Sequence, residues 1–215
     1  MNCKLCDAPA CRVLTTDARR LYRICDLCRL VFVPENFHVS AREERARYAL
    51  HDNTADNQEY IDYLRGVAGE LRRIPIDKPN ILDYGCGKDP VLTAILRDRG
   101  FACTPYDPLY TPGHKLPCGR YDIIILCEVI EHIRNLKREL HTINALLIDN
   151  GFLFIKTELY HTADSFHAWW YAQDTTHINF FSLDTMRFIA SSLNKDLYYT
   201  NGKNCIIFGQ KKGRK

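Results

Sequence analysis

A chain of 215 residues, 46% of them apolar, with a formal net charge of +3 can build one ordinary α/β domain plus a small appendage. The charge is too slight to indicate a nucleic-acid partner by itself, and part of it sits in the terminal GQKKGRK, which reads as a solvated tail. No stretch approaches the roughly 18 apolar residues of a membrane span, and MNCKLCDAPACR lacks the apolar centre of a signal peptide, so a soluble, cytoplasmic protein without a membrane span is expected.

The first element is metallic in pattern. Cys3-x2-Cys6 and Cys25-x2-Cys28 are two CxxC pairs at a spacing that lets two tight turns offer four thiolates to one tetrahedral zinc. The segment between them has too little apolar area for a core of its own, so the metal would supply much of its folding free energy. A closed four-thiolate site is structural rather than catalytic. Cys11 is a spare thiol nearby, and Cys86, Cys103, Cys118, Cys127 and Cys205 are scattered, as reduced cysteines packed as small apolar residues would be.

Ser40 followed by Glu43 is a capping box that starts a helix. A second helical pattern places Tyr60, Tyr63, Leu64, Val67 and Leu71 on one face, and Pro75 and Pro79 end it. Strand patterns then fall near 80–84, 102–107, 121–127 and 151–157, with a closing pair near 196–200 and 204–210. Helices fall near 90–99, 134–148 and 183–193. The expected fold is α/β, a Rossmann-like mostly parallel sheet with an antiparallel last strand, plus the N-terminal zinc ribbon. The expected division is a ribbon over 1–36, a helical connector or lid over 37–77, and the main domain over 78–215.

In such sheets ligands bind beyond the carboxyl ends of the strands. The turn in ILDYGCGKDP carries Gly85 and Gly87, but Pro90 stands where a dinucleotide fingerprint needs its third glycine. Asp83 and Asp89 flank the turn and would repel a pyrophosphate, whereas they suit a cofactor bearing an amino group and a sulfonium, S-adenosylmethionine. Asp107, ending the second strand of the main sheet, can accept hydrogen bonds from both ribose hydroxyls.

These motifs, together with YDIIILCEVIEHI and GFLFIKTELY, resemble the class I S-adenosylmethionine-dependent methyltransferases, in the subgroup of the ubiquinone-biosynthesis methyltransferases. The resemblance covers roughly 78–210. It implies that Asp83 and the turn Gly85, Cys86 and Gly87 hold the methionine part of the cofactor, that Asp107 holds the ribose, and that Glu128 borders the same pocket. It also implies that the third strand and its helix, usual after Asp107, are abbreviated here.

In CEVIEHI, Glu128, Glu131 and His132 share one face if a helix starts there. His132 with Glu131 can serve as a general base for methyl transfer to oxygen or carbon. The same trio resembles the E-x-x-E-H element of the metal-dependent small-RNA 2′-O-methyltransferases and can ligate a divalent metal, or it can serve local hydrogen bonding alone. The aromatic stretch YHTADSFHAWWYAQDTTHINFFS either walls the acceptor pocket or packs a core through Trp169, Phe180 and Phe181. Within it His177 is a second catalytic candidate, while His161 and His167 read as surface residues. The favoured acceptor is a small molecule. A nucleic acid bound through the ribbon arginines Arg12, Arg19, Arg20, Arg23 and Arg29 is the alternative, as is a noncatalytic cofactor-binding regulatory protein.

Overall fold

In a computed structural model that describes residues 1–48, 54–111, 113, 115–164, 166 and 169–210, the chain begins with three short strands. These are β1 (Cys11–Thr16), β2 (Leu21–Cys25) and β3 (Val31–Phe32), joined antiparallel. The capping box forms as the sequence requires: the Glu43 amide donates to Ser40 Oγ at 3.3 Å, the Ser40 amide donates to the Glu43 carboxylate at 2.8 Å, and α1 (Ala41–Tyr48) follows. Next, α2 (Gln58–Glu70) starts at Asn57, whose side chain accepts from the Tyr60 amide, and it buries Leu64, Val67 and Ala68.

The main sheet is built from β4 (Asn80–Tyr84), β5 (Ala102–Tyr106), β6 (Tyr121–Cys127) and β7 (Leu147–Lys156), which are mutually parallel, and from β9 (Asp196–Thr200) and β10 (Cys205–Gly209). Its order is β5-β4-β6-β7-β10-β9, with β10 antiparallel to both neighbours, so the expected sheet and its antiparallel last strand are both present. The crossover helices are α3 (Val91–Asp98), α4 (Leu136–Ala145) and α5 (Leu183–Ser192). Among the described residues no strand or α-helix lies between β5 and β6, in line with the short linking sequence. One core lies between the sheet and α2 and α3, through Leu64, Leu92, Leu96, Ile123 and Phe154. The opposite face packs Leu140, Ile143, Met186 and Ile189 of α4 and α5.

Two features depart from the sequence reading. The motif after β6 does not begin a helix: Glu128 takes a left-handed φ of 52°, a single 3-10 turn spans Ile130–His132, and α4 starts only at Leu136. Glu128, Glu131 and His132 therefore do not share a helical face. Further on, Asn179 and Phe180 form a two-residue strand, β8, that pairs antiparallel with β3, Val31 opposite Phe180 and Phe32 opposite Asn179. The small sheet is thus β1-β2-β3-β8, with its fourth strand supplied by the aromatic stretch. Tyr22, Ile24, Val31 and Val33 of the ribbon share a core with Tyr160, Phe166, Tyr171 and Phe180. No described helix is long and apolar enough to cross a membrane.

Candidate active site

A cavity of about 1130 Å³ opens at the carboxyl ends of β4 to β7. That is slightly above the roughly 300–1,000 Å³ range of single small-molecule sites and leaves room for two ligands side by side. One wall is the turn after β4. Gly85 has φ 83° and Gly87 φ 74°, conformations that favour glycine. A Cβ on Gly85 would stand 2.4 Å from Val129 Cγ2, whereas the space above Gly87 is open. The Gly85 amide donates to the Tyr106 carbonyl at 2.7 Å, tying the turn to the end of β5.

Asp107 sits just beyond β5 and lines the cavity, 7% exposed. Its carboxylate accepts from the Gly87 amide at 3.0 Å and from the Leu109 amide at 2.8 Å, so its orientation is fixed before any ligand arrives. Cys86 and Glu128 also line the cavity. Replacing Asp107 with Ala is expected to weaken S-adenosylhomocysteine binding by about 2–4 kcal/mol, roughly 30- to 800-fold by calorimetry, because it removes a charged acceptor. Unchanged affinity would remove the ribose role from this residue.

The structure places Asp83 differently. Its carboxylate is 2% exposed, does not line the cavity, and accepts from Thr93 Oγ1 of α3 at 2.8 Å. Asp83 therefore braces the turn from beneath. Burial pushes its carboxyl up to about 6. Since the unfolded carboxyl titrates near 3.8, the contribution to stability is fully present below that value and is lost as pH rises through about 6. In the ligand-free protein, Asp83→Asn should be more stable than the parent by about 1–3 kcal/mol at pH 8, with the gain vanishing near pH 4, as read from urea melts at both pH values.

Glu128, its left-handed backbone turning the side chain off the end of β6, accepts from Tyr63 Oη at 2.7 Å and from Tyr171 Oη at 2.8 Å. The Tyr171 hydroxyl also lies 2.5 Å from Glu131 Oε1. One hydroxyl proton cannot serve both carboxylates fully, so the two compete for Tyr171, while Glu128 keeps Tyr63 and Glu131 keeps Thr157 as further donors. Burial pushes Glu128 up to about 8 and raises Glu131 as well. Glu131 is fully buried, takes a further hydrogen bond from Thr157 Oγ1, and does not line the cavity.

His132 and His177 both line it, with ring centroids 4.8 Å apart. His132 Nδ1 lies 3.1 Å from the Thr176 carbonyl and His177 Nδ1 lies 2.7 Å from the Tyr171 carbonyl. A carbonyl oxygen only accepts, so each ring is protonated at Nδ1 and keeps a lone pair on Nε2. Burial lowers both rings, His177 to about 3. Ligand atoms of Glu131, His132 and His177 lie within 4.8 Å of one another.

The outer wall comes from the helical connector and the aromatic stretch. Tyr48 of α1 meets the His132 ring edge-on at 5.4 Å, Arg47 pairs with Asp174 at 3.1 Å, and Tyr60 and Tyr63 of α2 stack over the opening. Trp170 stands at the rim, 65% exposed, while Phe180 and Phe181 are core residues. His161 is exposed, and His167 lies outside the described residues. Periodicity puts Tyr63 on the apolar face of its helix without naming its partner, and nothing local points to Tyr48 or Arg47.

The four cysteines of the ribbon converge. Cys3 Sγ and Cys28 Sγ are 3.5 Å apart, as are Cys6 Sγ and Cys25 Sγ, and all four sulfurs lie within 4.8 Å of one another. A tetrahedron with Zn–S bonds of about 2.3 Å has edges of about 3.8 Å, so the donor set fits that ion. Asp7 and Arg29, each directly after its CxxC pair, share left-handed φ values of 59° and 61°, giving two matching knuckles. Cys11 stays outside, its thiol turned to the Ala8 carbonyl.

The molecule is thus an α/β protein with a glycine-turn cradle and a strand-end acid, opening onto a chamber with two histidines. Residues 42–194 match the family described as "Methyltransferase domain", and the chain belongs to that family. No curated protein matches the sequence at a significant level. Among solved structures it is similar to the 1,6-didemethyltoxoflavin-N1-methyltransferase of Burkholderia thailandensis with bound S-adenosylhomocysteine, at 15% identity and TM-score 0.53, covering 92% of this chain and 98% of that one. It is also similar to the magnesium protoporphyrin IX methyltransferase of Synechocystis with bound S-adenosylhomocysteine, at 13% identity and TM-score 0.51, covering 80% and 95%. A methyltransferase of calicheamicin biosynthesis is similar at 11% identity and TM-score 0.49, covering 80% of this chain, which spans 59% of that protein.

Proposed function

We propose that the chain transfers a methyl group from S-adenosylmethionine to an oxygen or carbon of a small-molecule acceptor, and that it falls in the ubiquinone-biosynthesis-like subgroup. The observation that carries this reading is one continuous cavity with Gly85, Gly87 and Asp107 on one wall and His132 and His177 on another. The cofactor, when bound, supplies a methyl group already activated on a sulfonium. The protein's part is alignment and exclusion of water. Asp107 and the glycine turn fix one reactant. Tyr48, Tyr63 and Trp170 would shield the other, and the Nε2 lone pairs of His132 and His177, which line the same cavity, would accept the proton of an acceptor hydroxyl. The S-adenosylhomocysteine bound in the similar structures supports the same reading.

One observation favours a divalent cation at Glu131, His132 and His177: both Nδ1–H groups are held by carbonyls, the arrangement that orients imidazole ligands, and a carboxylate oxygen completes the set. Such a cation would supply positive charge to an acceptor oxygen. The four ribbon thiolates are proposed to hold a structural zinc, with the ribbon, connector and main domain divided as the sequence suggests. Arg20 is buried and Arg12 is paired with Asp26, so two of the five ribbon arginines are already engaged within the chain, which supports a small-molecule acceptor over a nucleic acid.

The test is calorimetric titration of the full chain with S-adenosylhomocysteine, NAD and Mn²⁺ in parallel. Binding of the adenosyl compound but not NAD is expected, with Mn²⁺ binding lost in His177→Ala. Binding of NAD alone would overturn the cofactor reading.

A further inference from the structure

Arg20 reads in the sequence as one of five ribbon arginines available to a nucleic acid, yet its side chain is only 4% exposed. Nη1 donates to the Asp174 carbonyl at 2.9 Å and to the His177 carbonyl at 3.2 Å, and Nη2 donates to the Ala172 carbonyl. Nε faces Asp17, which also receives the amides of Arg19 and Arg20 and the Tyr22 hydroxyl. The ribbon thus aims one planar cation, with the Asp17 carboxylate 3.6 Å from its Nε, at three carbonyls of a single loop. The fork joins three carbonyls that have few other donors: Asp174 also accepts from the His177 amide at 3.2 Å and Ala172 from the Tyr22 hydroxyl at 3.2 Å, and only the planar guanidinium ties all three together.

The loop concerned runs from residue 170 to 178 and carries much of the acceptor wall. Its Tyr171 hydroxyl bridges Glu128 and Glu131, its Tyr171 carbonyl receives His177 Nδ1, and its Thr176 carbonyl receives His132 Nδ1. Its far end is held between ribbon and motif: the Val33 amide donates to the Ile178 carbonyl at 3.0 Å, and the Ile178 amide donates to the Glu131 carbonyl at 2.9 Å. Backbone pairing fixes that end, and Arg20 fixes the middle.

We propose that Arg20 is the positioning residue of the acceptor site, and that through it the ribbon acts as the scaffold that presents His177 to the cavity. This rests on the methyltransferase reading for what the site does, though not for the geometry itself. It assigns the ribbon a role inside the catalytic chamber, and it predicts that disturbance of Arg20 reaches the acceptor half while sparing the cofactor half, whose turn contacts no ribbon residue by hydrogen bond among the described residues.

The experiment uses the full chain labelled with ¹⁵N-histidine, read by long-range ¹H–¹⁵N correlation at neutral pH, with S-adenosylhomocysteine affinity measured on the same samples. In the parent, His177 shows the Nδ1–H tautomer. In Arg20→Ala that signal is expected to give way to an average of tautomers, with cofactor-product affinity within about threefold of the parent, and millimolar methylguanidinium should restore the parent pattern. Arg20→Lys keeps the charge but cannot fork to three carbonyls, so it should resemble Arg20→Ala; it also serves as the second variant if Arg20→Ala fails to fold. A parent-like His177 signal in either folded variant overturns the proposal, as does equal loss of cofactor-product binding. Failure of the parent to bind S-adenosylhomocysteine would instead count against the methyltransferase reading, and the His177 signal would still decide the role of Arg20 independently.

Discussion

Replacing Cys25 with serine is expected to release one equivalent of zinc and lower the melting temperature by roughly 10–20 °C. Structural zinc in small four-ligand modules is worth about 10–16 kcal/mol of apparent binding energy. Not all of that appears as lost stability here, because the ribbon also rests on the main domain through Leu5, Leu30 and Phe32 packed near Leu136, Leu140 and Phe181. A residual loss of about 5 kcal/mol converts to the stated shift for a chain of this size, at about 2–4 °C per kcal/mol. Cys25 is fully buried at the end of β2, so serine leaves a poor ligand in a place that water cannot reach. Metal analysis and calorimetry of parent and variant check both parts. A parent that purifies without zinc, or a variant with an unchanged melting temperature, would remove the structural role. Cys11→Ser, outside the sulfur cluster, should keep its zinc.

Gly85→Ala should have the second large effect, a loss of cofactor-product binding beyond a hundredfold together with about 2–5 kcal/mol of stability. Two independent costs add. A side chain at φ 83° is strained by about 1–2 kcal/mol, and its Cβ would overlap both Val129 methyls, at 2.4 and 2.9 Å. Val129 follows Glu128 in the turn after β6, so relief of the clash pushes on the cavity wall itself. The double variant Gly85→Ala with Val129→Ala separates the costs: it should regain the overlap part of the stability, seen in urea melts, and keep the backbone strain. Full recovery would mean that the turn needs space at this position and not a left-handed backbone.

Much of this architecture follows from local pattern. Strand and helix positions from Asn80 onward, the Ser40 cap and the two CxxC pairs each rest on residues a few positions apart, where propensity and periodicity act directly. What the pattern could not supply are contacts between distant segments. Phe180 looks like any buried aromatic until it is seen opposite Val31, and a two-residue strand leaves no period to detect. Arg20 is chemically a surface residue whose burial depends on three carbonyls far along the chain. The sequence leaves open whether a helix starts at Glu128, and the left-handed backbone that rules it out has no glycine to announce it. Asp83 stands out in the sequence as an acid at the turn, but alternation alone does not tell whether an acid at a strand end faces the ligand or the helix beneath, and here it faces Thr93.

The pairing of β3 with β8 has a consequence for how the chain comes into being. During synthesis β1, β2 and β3 leave the ribosome long before β8 does, so the small sheet waits with one edge and one hydrophobic face open until Asn179 and Phe180 emerge. An early edge of that kind invites mispairing with other nascent chains. Metal capture by the two knuckles, which need only residues 3 to 28, would hold the first three strands in register through that interval. Zinc supply during translation would then set the yield of correctly folded protein more strongly than it sets the stability of molecules already complete.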